Sequence, residues 1–247
     1  MSIRNHKDLM GILKTGQVVA RIRDLMKKEA KPGVSTYDLD QMAKQCFEMY
    51  GAKSAPMFDY QFPGYTCISI NHEIAHGIPK KETILRFGDL VNIDVSATLN
   101  GYYADTGISF VIGNTNNNLS RLCDTAVDCT GKAIQEATTG NPLRMIGKSI
   151  HQVAKANGFT VIKNLAGHGT GKKLHEEPEV LVYEEKRDRR RLSEGLVLAI
   201  ESFVSTKSEF AVTGHDGWTL TTKDKSFVAQ CEHTVIVSSK GAIVATQ

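Results

Sequence analysis

The chain repeats one strand pattern at an offset of 107 residues, and each copy ends in a carboxylate. The first copy is GDLVNID at 88–94 and the second is GLVLAIE at 195–201. Self-similarity at a fixed offset is typical of structural repeats that pack against each other. We therefore expect two similar halves, about 1–113 and 114–247, in which acids at equivalent strand ends face each other. Facing acids of this kind are what a pair of metal ions needs.

Helical patterns repeat in the same way. The first half shows apolar residues at helical spacing at about 7–30 and again at about 35–51, and the second half does so at 119–137 and 143–158. Glycines at 33 and 51 recur at 140 and 158 without a gap. Strand-like segments follow in both halves. The sequence predicts one α+β domain with pseudo-twofold symmetry, each half being two helices plus antiparallel strands.

Composition limits the classes of function. The 247 residues are 41% hydrophobic and carry a net charge of +3, which is too small to indicate nucleic-acid binding. The basic run at 186–191 contains an acid at 188, so we interpret it as a solvated loop. Five cysteines, an odd number without a CxxC pair, favour a reduced cytoplasmic setting. No stretch is long enough to span a bilayer, so we expect no membrane partner and no specific nucleic acid.

The Asn100-Gly101 pair predicts a tight β-hairpin, because both turn positions need a positive φ. A hairpin centred there sets Asp94 opposite Gly107, so Asp105 lies on the same sheet face as a diagonal neighbour, about 7–8 Å away at the backbone. Two unpaired acids there would repel each other, and a cation between them would remove that cost. Two solvent-exposed acids remain the alternative at this point.

The second half supplies further candidate ligands. Glu201 ends the repeated strand, and Glu232 lies between apolar residues in a segment that reads as an inward strand. His168 is flanked by glycines, which allow the backbone to approach closely, as the wall of a site requires. A lone histidine is more often structural than a ligand. Four carboxylates linked to it by an internal repeat favour a metal site.

A second motif points to different chemistry. Residues 72–76 read HEIAH, which matches the HExxH zinc motif whose two histidines lie one turn apart on a helix. The preceding segment 67–71 alternates like a strand, and the GIP at 77–79 ends any helix. We therefore predict that 72–76 is not a zincin helix.

Seven segments resemble, in order and spacing, the type I methionine aminopeptidases: HGIP at 76–79, VNIDV at 91–95, YADTG at 103–107, GHGTG at 167–171, HEEP at 175–178, AIES at 199–202 and AQCEHT at 229–234. The resemblance covers nearly the whole chain and is closest to the bacterial form. It implies the pita-bread fold, whose pseudo-twofold agrees with the repeat. It also implies a metallo-hydrolase that removes N-terminal methionine from peptides and nascent proteins and prefers a small second residue.

The resemblance also assigns roles to seven positions. It implies two divalent metal ions, with Asp105 and Glu232 as bridging ligands, and the full ligand set is Asp94, Asp105, His168, Glu201 and Glu232. His76 and His175 stand where the family places histidines that contact substrate and act in catalysis, and Glu201 is expected to transfer the proton. Oxygen and imidazole ligands suit Mn, Fe(II), Co or Zn.

The methionine side chain needs an apolar and aromatic pocket. Phe62, Cys67 and Trp218 are the predicted walls, with Tyr60 and Tyr65 as further candidates. For Trp218, the single tryptophan, a plain core role is the alternative.

Three residues depart from the family pattern, and we expect them to affect pocket shape. Ser202 replaces a proline, Leu174 stands where a bulkier aromatic residue can line the pocket, and Cys231 precedes Glu232 where an aromatic or aliphatic residue is common.

Two other functions stay open on the sequence. One is a proline-specific peptidase of the same fold, and the other is a pita-bread module that binds without catalysis. The expected partner is the N-terminus of a peptide or nascent chain, with weak ribosome association. A monomer is the expected oligomeric state.

Overall fold

The structure is a computed structural model that describes residues 1–114 and 117–247. Residues 115 and 116, at the start of the predicted second half, lie outside the described residues. Within the described ranges, none of the helices combines the length and the apolar character needed to cross a bilayer.

The helices are α1 (His6–Glu29), α2 (Thr36–Tyr50), α3 (Ala55–Tyr60), α4 (Asn117–Glu136) and α5 (Arg144–Ala156), with a 3-10 turn at Ile112–Asn114. Local chemistry sets their ends. The side chain of Ser35 accepts the N–H of Asp38 at 3.0 Å to begin α2, and Gly51 ends it in the left-handed conformation. The four long helices agree with the predicted ranges, whereas the short α3 was not predicted.

The strands are β1 (Lys53–Ser54), β2 (Cys67–Ile70), β3 (Glu73–Ala75), β4 (Leu90–Leu99), β5 (Tyr102–Val111), β6 (Thr160–Val161), β7 (Ala166–Gly169), β8 (Glu176–Leu181), β9 (Val197–Ser205), β10 (Val212–Thr213), β11 (Leu220–Thr221), β12 (Val228–Ile236) and β13 (Ile243–Val244). A 10-stranded sheet has the order β1-β4-β5-β12-β9-β7-β8, with β2 on β4, β6 on β9 and β13 on β12. A second sheet has the order β10-β11-β3. Both sheets are antiparallel at these pairings.

The centre of the large sheet is symmetric. Its order β4-β5-β12-β9 places one long pair of strands from each half side by side. The flanking strands β1 and β2 join β4, while β6 and β7 join β9. On the helical side, α1 packs on β4 and β5, and α4 packs on β9 and β12. Each half therefore presents the same arrangement to the middle of the sheet.

The repeat extends to backbone conformation. Gly33 and Gly140 have φ of 92° and 87°, and Gly51 and Gly158 have φ of 65° and 77°. These positive values favour glycine, since a side chain is strained there. The 107-residue offset therefore places the same backbone conformation at equivalent positions.

One segment breaks the symmetry. Asp105 and Glu232 lie 127 residues apart, which is 20 more than the separation of Asp94 and Glu201. The additional residues belong to the stretch between β9 and β12 that carries β10, β11 and Trp218. Strand β11 pairs with β3, so this segment covers one end of the site described below.

Alternation along the strands separates core from site. In β4, Val91, Ile93 and Val95 are fully buried in the cluster beneath α1 and α2. Asp94 points to the opposite face, because successive side chains of a strand alternate. A matching cluster under α4 and α5 contains Leu198 and Ile200 of β9. One sheet face is therefore apolar and covered, and the other is free for polar groups.

Candidate metal centre and substrate cavity

The hairpin of β4 and β5 sets the first two acids. Asn100 and Gly101 adopt φ of 53° and 76° at the turn, and Asp94 pairs with Gly107. This is the predicted register. Asp105 pairs with Ser96, two positions along, so Asp94 and Asp105 share one sheet face.

The second half brings two more acids to the same face. Glu201 on β9 pairs directly with Glu232 on β12, and β12 lies beside β5 through the pairing of Cys231 with Ile108. All four carboxylates line one cavity of about 720 Å³. The central strands therefore carry Asp105 and Glu232, and the strands outside them carry Asp94 and Glu201.

His168 completes the cluster from β7, which pairs with β9. The ligand atoms of Asp105, His168 and Glu232 all lie within 4.8 Å of one another. His168 Nδ1 lies 2.9 Å from the carbonyl oxygen of Gly169, which can only accept, so Nδ1 carries the proton. The Nε2 lone pair is then free, and it lies 3.8 Å from Asp105 Oδ2. A neutral imidazole with a free Nε2 is a metal ligand by type.

Burial makes this group of acids costly in the absence of a cation. It raises the pKa of Asp94 to about 6 and that of Glu201 to about 8. The pKa values of Asp105 and Glu232 are raised well above normal by burial first and by repulsion from neighbouring acids second. Burial also lowers the pKa of His168 to about 4, so its ring is neutral at pH 7.

One atom tests whether a cation fits. Asp105 Oδ1 is buried and has no hydrogen-bond partner among the described residues. A buried carboxylate oxygen without a partner is costly, and a divalent ion would supply the missing partner and offset the repulsion. The donor set of carboxylates and one imidazole therefore fits a divalent metal.

Gln230 is a residue of the site that the sequence reasoning missed. Its Nε2 donates to Glu201 Oε2 at 2.9 Å and to Glu232 Oε2 at 3.4 Å. Asn92 Nδ2 donates to Gln230 Oε1 at 2.8 Å, which fixes the orientation of the amide. The position was detectable, because Gln230 lies two residues before Glu232 on a strand and must share its face.

The two predicted substrate histidines line the same cavity. His76 follows β3 with a positive φ of 54°, and its ring is exposed toward the cavity. The ring centroid of His175 lies 4.3 Å from that of His168. Partial desolvation lowers the pKa of both His76 and His175, so each is neutral near pH 7 and has one N–H to donate.

Four of the predicted pocket residues line the cavity, namely Tyr60, Phe62, Cys67 and Trp218. Phe62 and Trp218 meet edge to face with ring centroids 5.3 Å apart. Tyr65 does not line it, which corrects its prediction as a wall. Its ring instead packs against the first-half core and lies under the ammonium of Lys44.

Two of the three departures lie away from the cavity. Ser202 is fully buried on the helical face, where its hydroxyl donates to the carbonyl of Ala126 at 3.0 Å. Cys231 belongs to the second-half core. Each is the strand neighbour of a site acid, and its side chain therefore points to the opposite face of the sheet. The expectation that these two residues affect pocket shape was wrong. Leu174 does line the cavity.

The HExxH segment is not helical. Glu73 begins β3, and its Oε2 accepts the N–H of Ile70 at 2.9 Å. The ring of His72 packs on Phe227 with centroids 4.7 Å apart, outside the cavity lining. Only His76 reaches the cavity, so the two histidines cannot bind one metal as a helical pair.

Comparisons with known proteins agree with this geometry. Residues 11–239 match the metallopeptidase family M24. The methionine aminopeptidase of Staphylococcus epidermidis is 49% identical over 249 residues, covering 100% of this chain and 99% of that protein. The crystal structure of methionine aminopeptidase from Thermotoga maritima superposes with a TM-score of 0.96 at 31% identity, covering 100% of both chains. The predicted pita-bread α+β fold is confirmed.

A proline-specific relative shares the fold alone. Prolidase from Pyrococcus furiosus superposes with a TM-score of 0.80 at 22% identity, and the match covers 99% of this chain but 65% of prolidase. The identity to the Staphylococcus epidermidis methionine aminopeptidase, 49% over the full length, is more than twice as high. By sequence, fold and the composition of its site, the chain belongs to the methionine aminopeptidases of metallopeptidase family M24.

Proposed function

We propose that this protein removes the N-terminal methionine from peptides and nascent proteins, with a preference for a small second residue. The observation that carries the proposal is the buried cluster of Asp105, His168 and Glu232, whose ligand atoms lie within 4.8 Å of one another at the base of a cavity. A binding module without catalysis would have no need to gather four carboxylates, three of them buried, at this cost.

The site would hold two divalent ions through Asp94, Asp105, His168, Glu201 and Glu232. Asp105 and Glu232, which lie on the two central strands, would be shared by the two ions, as the resemblance to the family implies. Cys67 also lines the cavity, and burial raises the pKa of its thiol well above normal, so it does not offer a thiolate ligand at pH 7. Oxygen and imidazole donors suit Mn, Fe(II), Co or Zn.

Two ions bound there would polarise the scissile carbonyl and activate water as the nucleophile. Glu201 would take the proton from the attacking water and later give it to the leaving amine. Its carboxylate is held for this task by Gln230 Nε2 at 2.9 Å. His76 and His175 would donate hydrogen bonds to the substrate and to the oxygen that becomes negative in the transition state.

The cavity accounts for selection of methionine at an N-terminus. Phe62, Cys67 and Trp218 offer an apolar pocket for an unbranched thioether side chain, to which Tyr60 adds a polar edge. A free α-amino group would lie beside the acidic cluster, which attracts its positive charge. A substrate with further residues on the N-terminal side would bring an uncharged amide to that place instead. We expect a pocket occupied by methionine to leave little room for a large second residue beyond the scissile bond.

We further propose that the protein acts in the cytoplasm as a single-domain monomer on emerging chains, with weak ribosome association. The five cysteines are all free thiols and all buried, as a reduced compartment favours. Light scattering of the purified protein and co-sedimentation with ribosomes over a range of salt concentrations measure these two properties.

Release of methionine tests the activity. Protein purified without added cation is analysed for metal content and then incubated with Met-Ala-Ser, Met-Lys-Ser and Ala-Pro-Ser, each with and without a chelator. We expect rapid release of methionine from Met-Ala-Ser, slow release of methionine from Met-Lys-Ser and no release of alanine from Ala-Pro-Ser. The chelator should stop all release. Equal rates on the two methionyl peptides would refute the preference for a small second residue, and cleavage of Ala-Pro-Ser would favour the proline-specific alternative.

A further inference from the structure

The two neighbouring histidines of the cavity have different hydrogen-bond partners at Nδ1. For His168 the partner is the carbonyl oxygen of Gly169 at 2.9 Å. For His175 it is the hydroxyl of Tyr60 at 2.7 Å. The first partner can only accept, whereas the second can donate. Two rings 4.3 Å apart are therefore placed in opposite hydrogen-bonding environments.

The direction of the Tyr60 hydrogen bond follows from its chemistry. A neutral imidazole carries a proton on only one of its two ring nitrogens, so the other nitrogen can only accept a hydrogen bond. An unprotonated imidazole nitrogen is a strong acceptor, and a phenol is a better donor than acceptor since the ring withdraws its lone-pair density. The hydroxyl of Tyr60 therefore donates to Nδ1, and the proton of His175 lies on Nε2.

The position of Tyr60 is itself fixed by its surroundings. It is the last residue of α3, which begins at the Ser54 cap and ends at Gln61 in the left-handed conformation. The hydroxyl of Tyr103 on β5 donates to Asp59 Oδ1 at 2.9 Å and so ties the end of α3 to the central sheet. Leu174, next to His175, packs with Ala55 and Tyr103. The two partners of the hydrogen bond thus belong to one packed unit.

We propose that Tyr60 is a positioning residue that holds His175 as the Nε2–H tautomer, so that His175 donates a hydrogen bond into the cavity and does not ligate metal. The proposal rests on the proposed peptidase function for the use of that donor. His168, protonated at Nδ1, presents a lone pair to the metal centre. Without Tyr60, His175 could adopt the same tautomer as His168, and its ring, whose centroid lies 4.3 Å from that of His168, would present a second lone pair in place of the donor.

The tautomer can be measured directly. Long-range ¹H–¹⁵N spectra of the zinc-loaded protein are recorded for wild type and Tyr60→Phe, with the His175 signals assigned from their loss in His175→Ala. We expect an unprotonated Nδ1 and a protonated Nε2 in wild type, and a mixture of tautomers in Tyr60→Phe. Tyr50→Phe is the matched control, because this ring packs against the first-half core away from the cavity, and it should leave the His175 spectrum unchanged.

Kinetics give a second readout. Loss of a supporting hydrogen bond should reduce kcat on Met-Ala-Ser by about 10–100-fold in Tyr60→Phe, with KM near the wild-type value. In the His175→Ala background the same substitution should have no further effect, because residues that act through one another are not additive.

Three results would overturn the proposal: wild-type His175 protonated at Nδ1, a Tyr60→Phe protein that keeps the pure Nε2–H tautomer, or an equal loss of kcat from Tyr60→Phe when His175 is absent. Failure of the wild type to release methionine would refute the proposed function instead, and the spectra would still decide the tautomer.

Discussion

Asp94, Asp105, Glu201 and Glu232 share one sheet face, and three of them are less than 10% exposed. Their raised pKa values show that the protein does not compensate their charges by itself. At the scale of single residues, the requirement for a cation therefore follows from burial and repulsion. This requirement distinguishes the ligands from other acids at the cavity.

Replacement of a carboxylate by its amide should distinguish metal ligands from other acids at the cavity. Asp105→Asn and Glu232→Gln keep the size of the side chain but remove the negative charge that a divalent ion needs. We expect peptidase activity to fall by more than about 100-fold, beyond the loss typical of outer-shell partners. Elemental analysis should show less bound metal in both. Glu177→Gln, an exposed acid at the rim of the cavity, is the control and should keep its metal. Full activity with unchanged metal content in either ligand variant would contradict the dinuclear site.

The histidines of the 72–76 segment should behave differently from each other. His72→Ala and Glu73→Gln should keep all metal and most activity, because neither side chain lines the cavity. His76→Ala should lose about 10²–10³ in kcat, as when an oxyanion donor is removed. Measurement of kcat and bound metal for the three variants checks this. Loss of metal from His72→Ala together with loss of rate in Glu73→Gln would support the zincin interpretation instead.

At the scale of elements, the central strands determine how the acids are oriented. Gly107 on β5 leaves room for Gln230 of β12, and a Cβ at Gly107 would lie 2.5 Å from Gln230 Oε1. The amide of Gln230 in turn contacts two of the site acids. The contacts of the Gln230 amide on β12 therefore require a glycine at position 107 of the neighbouring strand β5.

Gly107→Ala should therefore impair the site without unfolding the sheet. The methyl group displaces the Gln230 amide, and we expect metal affinity to fall by about 10–100-fold, as for other outer-shell disruptions. Gly131→Ala is the matched control, since a Cβ there on α4 meets nothing within 4 Å. That variant should raise stability by up to about 1 kcal/mol through helix propensity. Titration calorimetry and thermal melts provide both values, and unchanged metal affinity in Gly107→Ala would contradict this role of Gln230.

Some elements could be predicted from the sequence and others could not, for physical reasons. The hairpin register at Asn100-Gly101 was predictable, because the turn type fixes which residues pair. The four long helices were predictable from apolar periodicity. The short α3 and the place of Tyr65 were not, because six residues give too little periodicity and the segment turns through Pro63 and Gly64. The contacts of Gln230 and Tyr60 depend on neighbours far along the chain, which local patterns do not report.

The whole molecule is best described as two half-repeats in one domain, and we infer that the boundary lies near 113/114. Each half supplies one central and one outer strand with an acid on each. Because the charges of both halves meet in one place, metal binding and stability should be coupled across the entire chain.

This coupling has a definite pH dependence. The folded pKa of Glu201, about 8, exceeds its normal value of 4.5 in the metal-free protein. Between pH 4.5 and about pH 8, the folded protein therefore keeps a proton on Glu201 that the unfolded chain has lost. The stabilisation of the folded state that results is complete below pH 4.5 and disappears as the pH rises through about 8. The lowered pKa of His168 opposes this trend, but the raised pKa values of all four acids act together, so we expect the Tm of the metal-free protein to fall from pH 5 to pH 8.

Divalent metal should reverse this trend. It binds the ionised carboxylates, so the rise in Tm on adding Mn²⁺ should be larger at pH 8 than at pH 5. In Glu201→Gln the decrease in Tm without metal should be shallower, since that variant has no proton to lose at this position. Scanning calorimetry measures all three dependences, and a Tm of the metal-free protein that rises steadily from pH 5 to pH 8 would contradict the expected sign.

The segment between β9 and β12 that interrupts the repeat has a consequence for how such an enzyme can change. The ancestral half, present as two identical copies, would already place equivalent acids around a dyad, so a metal site could arise in a homodimer before any gene fusion. Selectivity could not arise in this way, because a symmetric dimer would offer two equal substrate pockets. Only after fusion could one copy lengthen alone and bring Trp218 over a single side of the site. In this protein the metal-binding acids lie on the repeated strands, whereas Trp218 lies on a segment that only one half carries, so a change in that segment can alter the pocket while the acids keep their positions.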